Sequence, residues 1–149
     1  MNSAFEKPAS AASSRPNSIS EIHELFERYG PAFVDLAVGK RSDMEALLDF
    51  YDAPLRFIGS SFHMVMKDKE DITGPDGIGG EIGRLRHAHF AGSTLDRCEV
   101  NILNARAAFV DAVWLRQDST GAVDKFSVIY LLGLTPQGWR ITSAVDTSA

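Results

Sequence analysis

The stretch from Asn101 to Thr147 constrains this chain most, because it reads as three consecutive antiparallel strands with two apolar faces. From Ala107 to Arg116, Phe109, Val113 and Leu115 fall on one parity and Val110, Ala112 and Trp114 on the other. From Phe126 to Leu134, Phe126, Val128, Tyr130, Leu132 and Leu134 alternate with Ile129 and Leu131. A lone antiparallel sheet normally keeps one face wet, so two apolar faces require two coverings. Helices are expected over one face and another protein surface over the other, most simply a second copy of the chain. Asn104-Ala105, Gln117 to Ala122 and Pro136-Gln137-Gly138 carry the turn residues between strands.

Bulk numbers narrow the class. A chain of 149 residues suits one domain, and 44% hydrophobic with 23% charged residues describes an ordinary globule. A net charge of -5 with scattered Lys and Arg argues against nucleic-acid binding. The single cysteine, Cys98, excludes an intrachain disulfide and a cysteine metal cluster. Met1 to Asn17, rich in Ser, Ala and Pro, reads as a disordered tail without a signal-peptide run. No later stretch approaches a membrane span. The expectation is a single domain over 18–149, cytoplasmic and without membrane partners.

Upstream, the periodicity is helical. Ser18-Ile19-Ser20-Glu21 has capping-box spacing, so a helix is expected to begin there. Ile22, Leu25, Phe26, Tyr29, Phe33 and Leu36 keep one stripe across Pro31, which predicts a single kinked helix, and Gly39 suits its C-terminal cap. Ser42-Asp43-Met44-Glu45 is a second capping box, opening a helix over Met44, Leu47, Leu48 and Tyr51 that stops before Pro54. Leu55 to Ile58 and Phe62 to Lys67 read as a hairpin, and Asp68 to Asp71 as a solvated loop. Pro75 opens a short helix with Ile78, Ile82 and Leu85 on one side. Gly77, Gly79, Gly80 and Gly83 are expected to weaken it by roughly 1 kcal/mol each relative to alanine. Thr94 to Leu103 reads as a strand with Cys98, Val100 and Ile102 on one face.

This order of elements, together with the segments MEALLDFYDAPLRFIG and FSVIYLLGLTPQGWRITS, resembles the nuclear transport factor 2-like (NTF2-like) superfamily of SnoaL-like proteins and ketosteroid isomerases, over Ser18 to Thr147. The resemblance implies an α+β fold, a cystatin-like cone in which a curved antiparallel sheet wraps around N-terminal helices. It also implies a pocket in the cone and a homodimer through the outer sheet face. Isomerases, cyclases, dehydratases and transport adaptors share this fold, so it does not choose a function. Aligned on the isomerases, the general-base position falls on Gly59, the helix tyrosine position near Ala32 or Phe33, and the oxyanion aspartate position on Tyr130. Glycine cannot move a proton, so these departures speak against steroid-isomerase chemistry.

The same alignment puts Phe109, Asp111, Val113, Tyr130 and Ser143 on the inner face of the cone, with Met64 completing a ligand pocket. A carboxylate among Phe109, Val113 and Leu115 is desolvated unless a donor meets it, and a desolvated carboxylate is a usable general acid or base. Asp111 then serves as acid or base with Tyr130 as donor, or else bonds Tyr130, an arginine or a strand neighbour and does no chemistry. His87, His89 and His63 lack a closely spaced carboxylate, so no metal is expected. The Gly-Pro-Asp-Gly-Ile-Gly-Gly run lacks the ending of a phosphate loop, Ser60-Ser61 lacks a nucleophile elbow, and no cofactor is expected. The leading expectation is a protein that binds a small apolar ligand. An enzyme of the SnoaL-like kind and an adaptor whose outer sheet binds a protein partner are the alternatives.

Overall fold

The computed structural model describes residues 17–148, so the expected tail lies outside the described residues apart from Asn17. Helix α1 spans Ser18–Ala37 and buries Ile22, Leu25, Phe26, Tyr29 and Leu36, the stripe that the sequence lays down. Pro31 sits exposed inside this one helix. The Ser18 capping box does not form: Asn17 is the cap, without a side-chain hydrogen bond, and Ser18 is buried in the first turn. Gly39, at φ +86°, follows the helix in the left-handed conformation that suits glycine.

The second expected helix is only a six-residue 3-10 helix, Met44–Asp49. Its capping residue Asp43 offers no side-chain bond to the helix, because the Arg41 guanidinium takes both carboxylate oxygens at 3.1 and 2.8 Å. Tyr51, expected in that helix, instead opens strand β1, Tyr51–Ile58. Pro54 lies inside β1 where the ladder to its neighbour shifts register between Tyr51 and Arg56, so the missing N–H breaks no regular pairing. Strand β2, His63–Met66, completes the hairpin. The run expected as a loop forms helix α2, Lys69–Thr73. The Asp68 carboxylate accepts from the Asp71 N–H at 2.9 Å, and the Asp71 carboxylate accepts from the Lys67 N–H at 2.9 Å, two carboxylates capping one short helix. Helix α3 is Ile78–His87.

Strands β3 (Phe90–Asn104), β4 (Ala107–Asp118), β5 (Val123–Thr135) and β6 (Gly138–Asp146) form the antiparallel meander. The six-stranded sheet runs β2-β1-β6-β5-β4-β3, with β1 parallel to β6. Bulges curve it. In β6, Leu131 faces Ser143 while Leu132 faces Ile141, which leaves Thr142 as the extra residue. The result is an α+β fold in which a curved, unclosed sheet holds the helices in its concave face. Cys98 and Val100, both part-buried, pack with the buried Ala108, Val110, Val128 and Leu132 in the core against α1. No helix among the described residues is long and apolar enough to cross a membrane.

Candidate functional site

A cavity of about 210 Å³ lies between the concave face and the helices. Helix α1 supplies Tyr29, Gly30 and Phe33, and helix α3 supplies Ile78, Glu81 and Leu85. The sheet supplies Tyr51, Phe57, Trp114, Arg116, Phe126 and Tyr130 among others. Burial grades along this lining. Tyr29, Tyr51, Leu55, Trp114 and Tyr130 are buried and form the inner end, whereas Phe33, Phe57, Leu85, Arg116 and Phe126 are half-buried and Phe62 is exposed.

All three tyrosines of the chain meet at the inner end. The hydroxyls of Tyr29 and Tyr51 share a short hydrogen bond, and the Trp114 indole N–H donates to the Tyr130 hydroxyl at 2.9 Å. Tyr29 stands edge-on to Tyr51, Trp114 and Tyr130, with ring centroids at 5.6, 5.8 and 6.4 Å. Burial pushes the hydroxyls of Tyr29, Tyr51 and Tyr130 above the ordinary tyrosine range, most simply because a phenolate has no water there. At neutral pH all three are therefore neutral hydrogen-bonding groups in an aromatic box.

Close packing shapes the half-buried wall. A Cβ on Gly77 or Gly79 would stand 1.9 or 2.1 Å from the carbonyl oxygens of Asp71 and Thr73 in helix α2, and one on Gly80 would stand 1.9 Å from that of Pro75. These three glycines let the start of α3 pack closely on α2 and Pro75, whereas Gly83 of the same helix has open space around it. At the rim, the Phe62 ring folds over Gly59, where a Cβ would lie 2.1 Å from the ring, and stacks edge-on to Phe57 at 5.2 Å. Arg116 lays its guanidinium over the Phe126 ring, 3.9 Å from its centroid.

Of the six residues expected to line the pocket, Tyr130 lines it. Phe109, Asp111 and Val113 have the opposite orientation from the one expected, since Ala108, Val110, Ala112 and Trp114 are the buried parity of β4. Both parities are apolar, so hydrophobicity could not choose between them. Trp114, on this parity, stands edge-on to Tyr29 of α1 and donates its indole N–H to Tyr130 on the concave side. Asp111 is on the convex face, 3.2 Å from the Arg97 guanidinium, with its side chain 35% exposed. It is the arginine-paired alternative that the geometry fits. Ser143 is turned outward by the bulge at Thr142, which hands the inner position to Ala144. Met64 faces Phe57 across the hairpin and packs on the core edge without lining the cavity.

Sequence reasoning passed over Tyr29, Tyr51, Trp114 and Arg116 as site residues. The available signal was three tyrosines on apolar stripes, since a buried tyrosine hydroxyl needs a partner. His63 bonds Arg56 at 3.2 Å, and no group of three or more metal-binding side chains gathers among the described residues.

A family model described as NTF2-like protein (DUF6841) matches residues 20–149. An NTF2-like protein with a cystatin-like fold from Novosphingobium aromaticivorans is 21% identical, covering 87% of this chain and 80% of its own, with a TM-score of 0.63. An NTF2-like protein from Cytophaga hutchinsonii is 14% identical, covering 89% and 99%, with a TM-score of 0.64. A protein of unknown function with a cystatin-like fold from Nostoc punctiforme is 14% identical, covering 86% and 88%, with a TM-score of 0.62. These likenesses establish the fold. No curated protein matches the sequence.

Proposed function

This chain belongs to the NTF2-like family DUF6841, and on that premise we propose that it binds a small, ring-bearing apolar molecule in the concave cavity, oriented by hydrogen bonds to the tyrosine cluster. The observation that carries this reading is the grading of the lining, with an aromatic wall ending in three buried hydroxyls. Small-molecule sites combine a mostly apolar lining with a few placed polar groups. A dry apolar cavity of about 150 Å³ accepts benzene, so about 210 Å³ suits one ring with substituents or two fused rings. An enzyme working through Asp111 is disfavoured, because that carboxylate lies on the far side of the sheet, bonded to Arg97. The test is native mass spectrometry of the purified chain, alone and with 2-naphthol. Retention of one molecule per chain, lost in Tyr130→Phe or Tyr51→Phe, supports the reading; no retention overturns it.

The convex face favours a homodimer. Register sets Phe109 beside Leu131, and Ile129 beside Val145, which neighbours Ile58. Leu131 is 41% and Val145 37% exposed. A second copy covering this row gives the apolar outer face its partner.

A further inference from the structure

We infer that the molecule held in the cavity carries an anionic group, a carboxylate or its equivalent, received by Arg116 at the half-buried end. This rests on the reading of the cavity as a ligand site and narrows the class of ligand. Arg116 continues the inner parity of Ala112 and Trp114, so a permanent cation stands beside Trp114 and Phe126 in a lining that is mostly aromatic and aliphatic. Burying a charge is costly unless it is matched. No carboxylate among the described residues lies within ion-pair distance of it, including Asp124, its register partner on β5.

Neither carboxylate of the lining is paired with Arg116. Glu81 pairs with Arg84, and the Asp146 carboxylate accepts the Ser148 N–H at 2.9 Å and its hydroxyl at 2.8 Å. Among the described residues the Arg116 guanidinium has no hydrogen-bond or ion-pair partner and lies over the Phe126 ring. That stacking holds the planar fork in place, and such a fork matches a planar carboxylate through two parallel hydrogen bonds. Ser93, opposite Arg116 in register on β3, lines the same stretch and adds a hydroxyl donor. A ring between Phe57 and Phe126 would then present its acid to Arg116 and its far edge to the tyrosines.

The experiment is calorimetric titration of the full chain with naphthalene-2-carboxylate and naphthalene-2-carboxamide, which share a shape and differ in charge. The carboxylate is expected to bind at least tenfold more tightly. Arg116→Gln should remove that preference by lowering the carboxylate affinity at least tenfold, and Arg116→Lys should restore part of it. Equal binding of acid and amide by the native chain overturns the anionic inference and leaves the ligand site standing. Failure of both probes and of 2-naphthol removes the site itself. Should Arg116→Gln fail to fold, the salt series on the native chain decides: a preference that shrinks as salt rises supports a charge contact, and a salt-independent one overturns it.

Discussion

The Trp114 indole N–H and the Tyr130 hydroxyl, 2.9 Å apart, join β4 to β5 diagonally beneath the cavity. Trp114 faces Phe126 in register and Tyr130 faces Val110, so the bond spans the Ala112–Val128 pair between them. The small alanine leaves the room that the crossing needs. The bond is made on the buried parity of β4, the face that turns inward.

Removing the acceptor should therefore cost more than the loss of one oxygen. Tyr130→Phe leaves a buried indole N–H without a partner, a loss of about 1–3 kcal/mol in urea denaturation. In a double-mutant cycle with Trp114→Phe, the two losses should fall short of additivity by at least about 0.5 kcal/mol. Additive losses would show that the bond contributes nothing.

The tyrosine cluster sets the alkaline limit. Folding raises the pKa of Tyr29, Tyr51 and Tyr130, so the folded chain holds protons that the unfolded chain releases near pH 10. Their contribution is complete below that pH and is lost as pH rises further. Stability should fall by up to about 4 kcal/mol per pH unit above pH 10 if all three remain protonated. Absorbance at the phenolate band should rise only as the chain unfolds. Phenolate absorbance appearing at its ordinary pH in folded protein would contradict this.

Glycines of one short helix should diverge. Gly83→Ala adds a methyl into open space and should stabilise by about 0.5–1 kcal/mol. Gly79→Ala drives its Cβ against the Thr73 carbonyl oxygen and should destabilise by about 2 kcal/mol or more. Thermal melts of the two variants distinguish this from a uniform helix-propensity effect, in which both would gain.

On the convex face, Leu131→Arg places a charge amid Phe109 and Ser143. Light scattering should show a dimer for the native chain and a monomer for the variant, with unchanged circular dichroism. A native monomer at about 100 μM, well above the working range of a stable interface, removes the homodimer.

The sheet and the first helix were legible because periodicity alone carries them: the stripe from Ile22 to Leu36 and the alternation in β5 are the ones found. The inward face of β4 was not, because Phe109 and Val113 are as apolar as Val110 and Trp114. Ser143 was lost to a one-residue bulge, which reverses every side chain beyond it. A uniform cost for the α3 glycines is not what the packing predicts, because a Cβ at Gly77, Gly79 or Gly80 would meet carbonyl oxygens of helix α2 and Pro75, contacts that no propensity describes, whereas one at Gly83 meets nothing. Arg116 ended a strand pattern as an ordinary boundary charge, and only the packing of Phe126 and the absence of a nearby carboxylate set it apart.

The most direct measurement uses the fact that the chain has three tyrosines, all at the cavity's inner end. With tyrosine labelled by ¹³C at the ring carbon bearing the hydroxyl, the titration with 2-naphthol and naphthalene-2-carboxylate reads that site alone. Saturable shifts of the Tyr51 and Tyr130 resonances, in step with calorimetric binding, are the expected result. Binding that leaves all three resonances unmoved would place the ligand elsewhere and contradict the account.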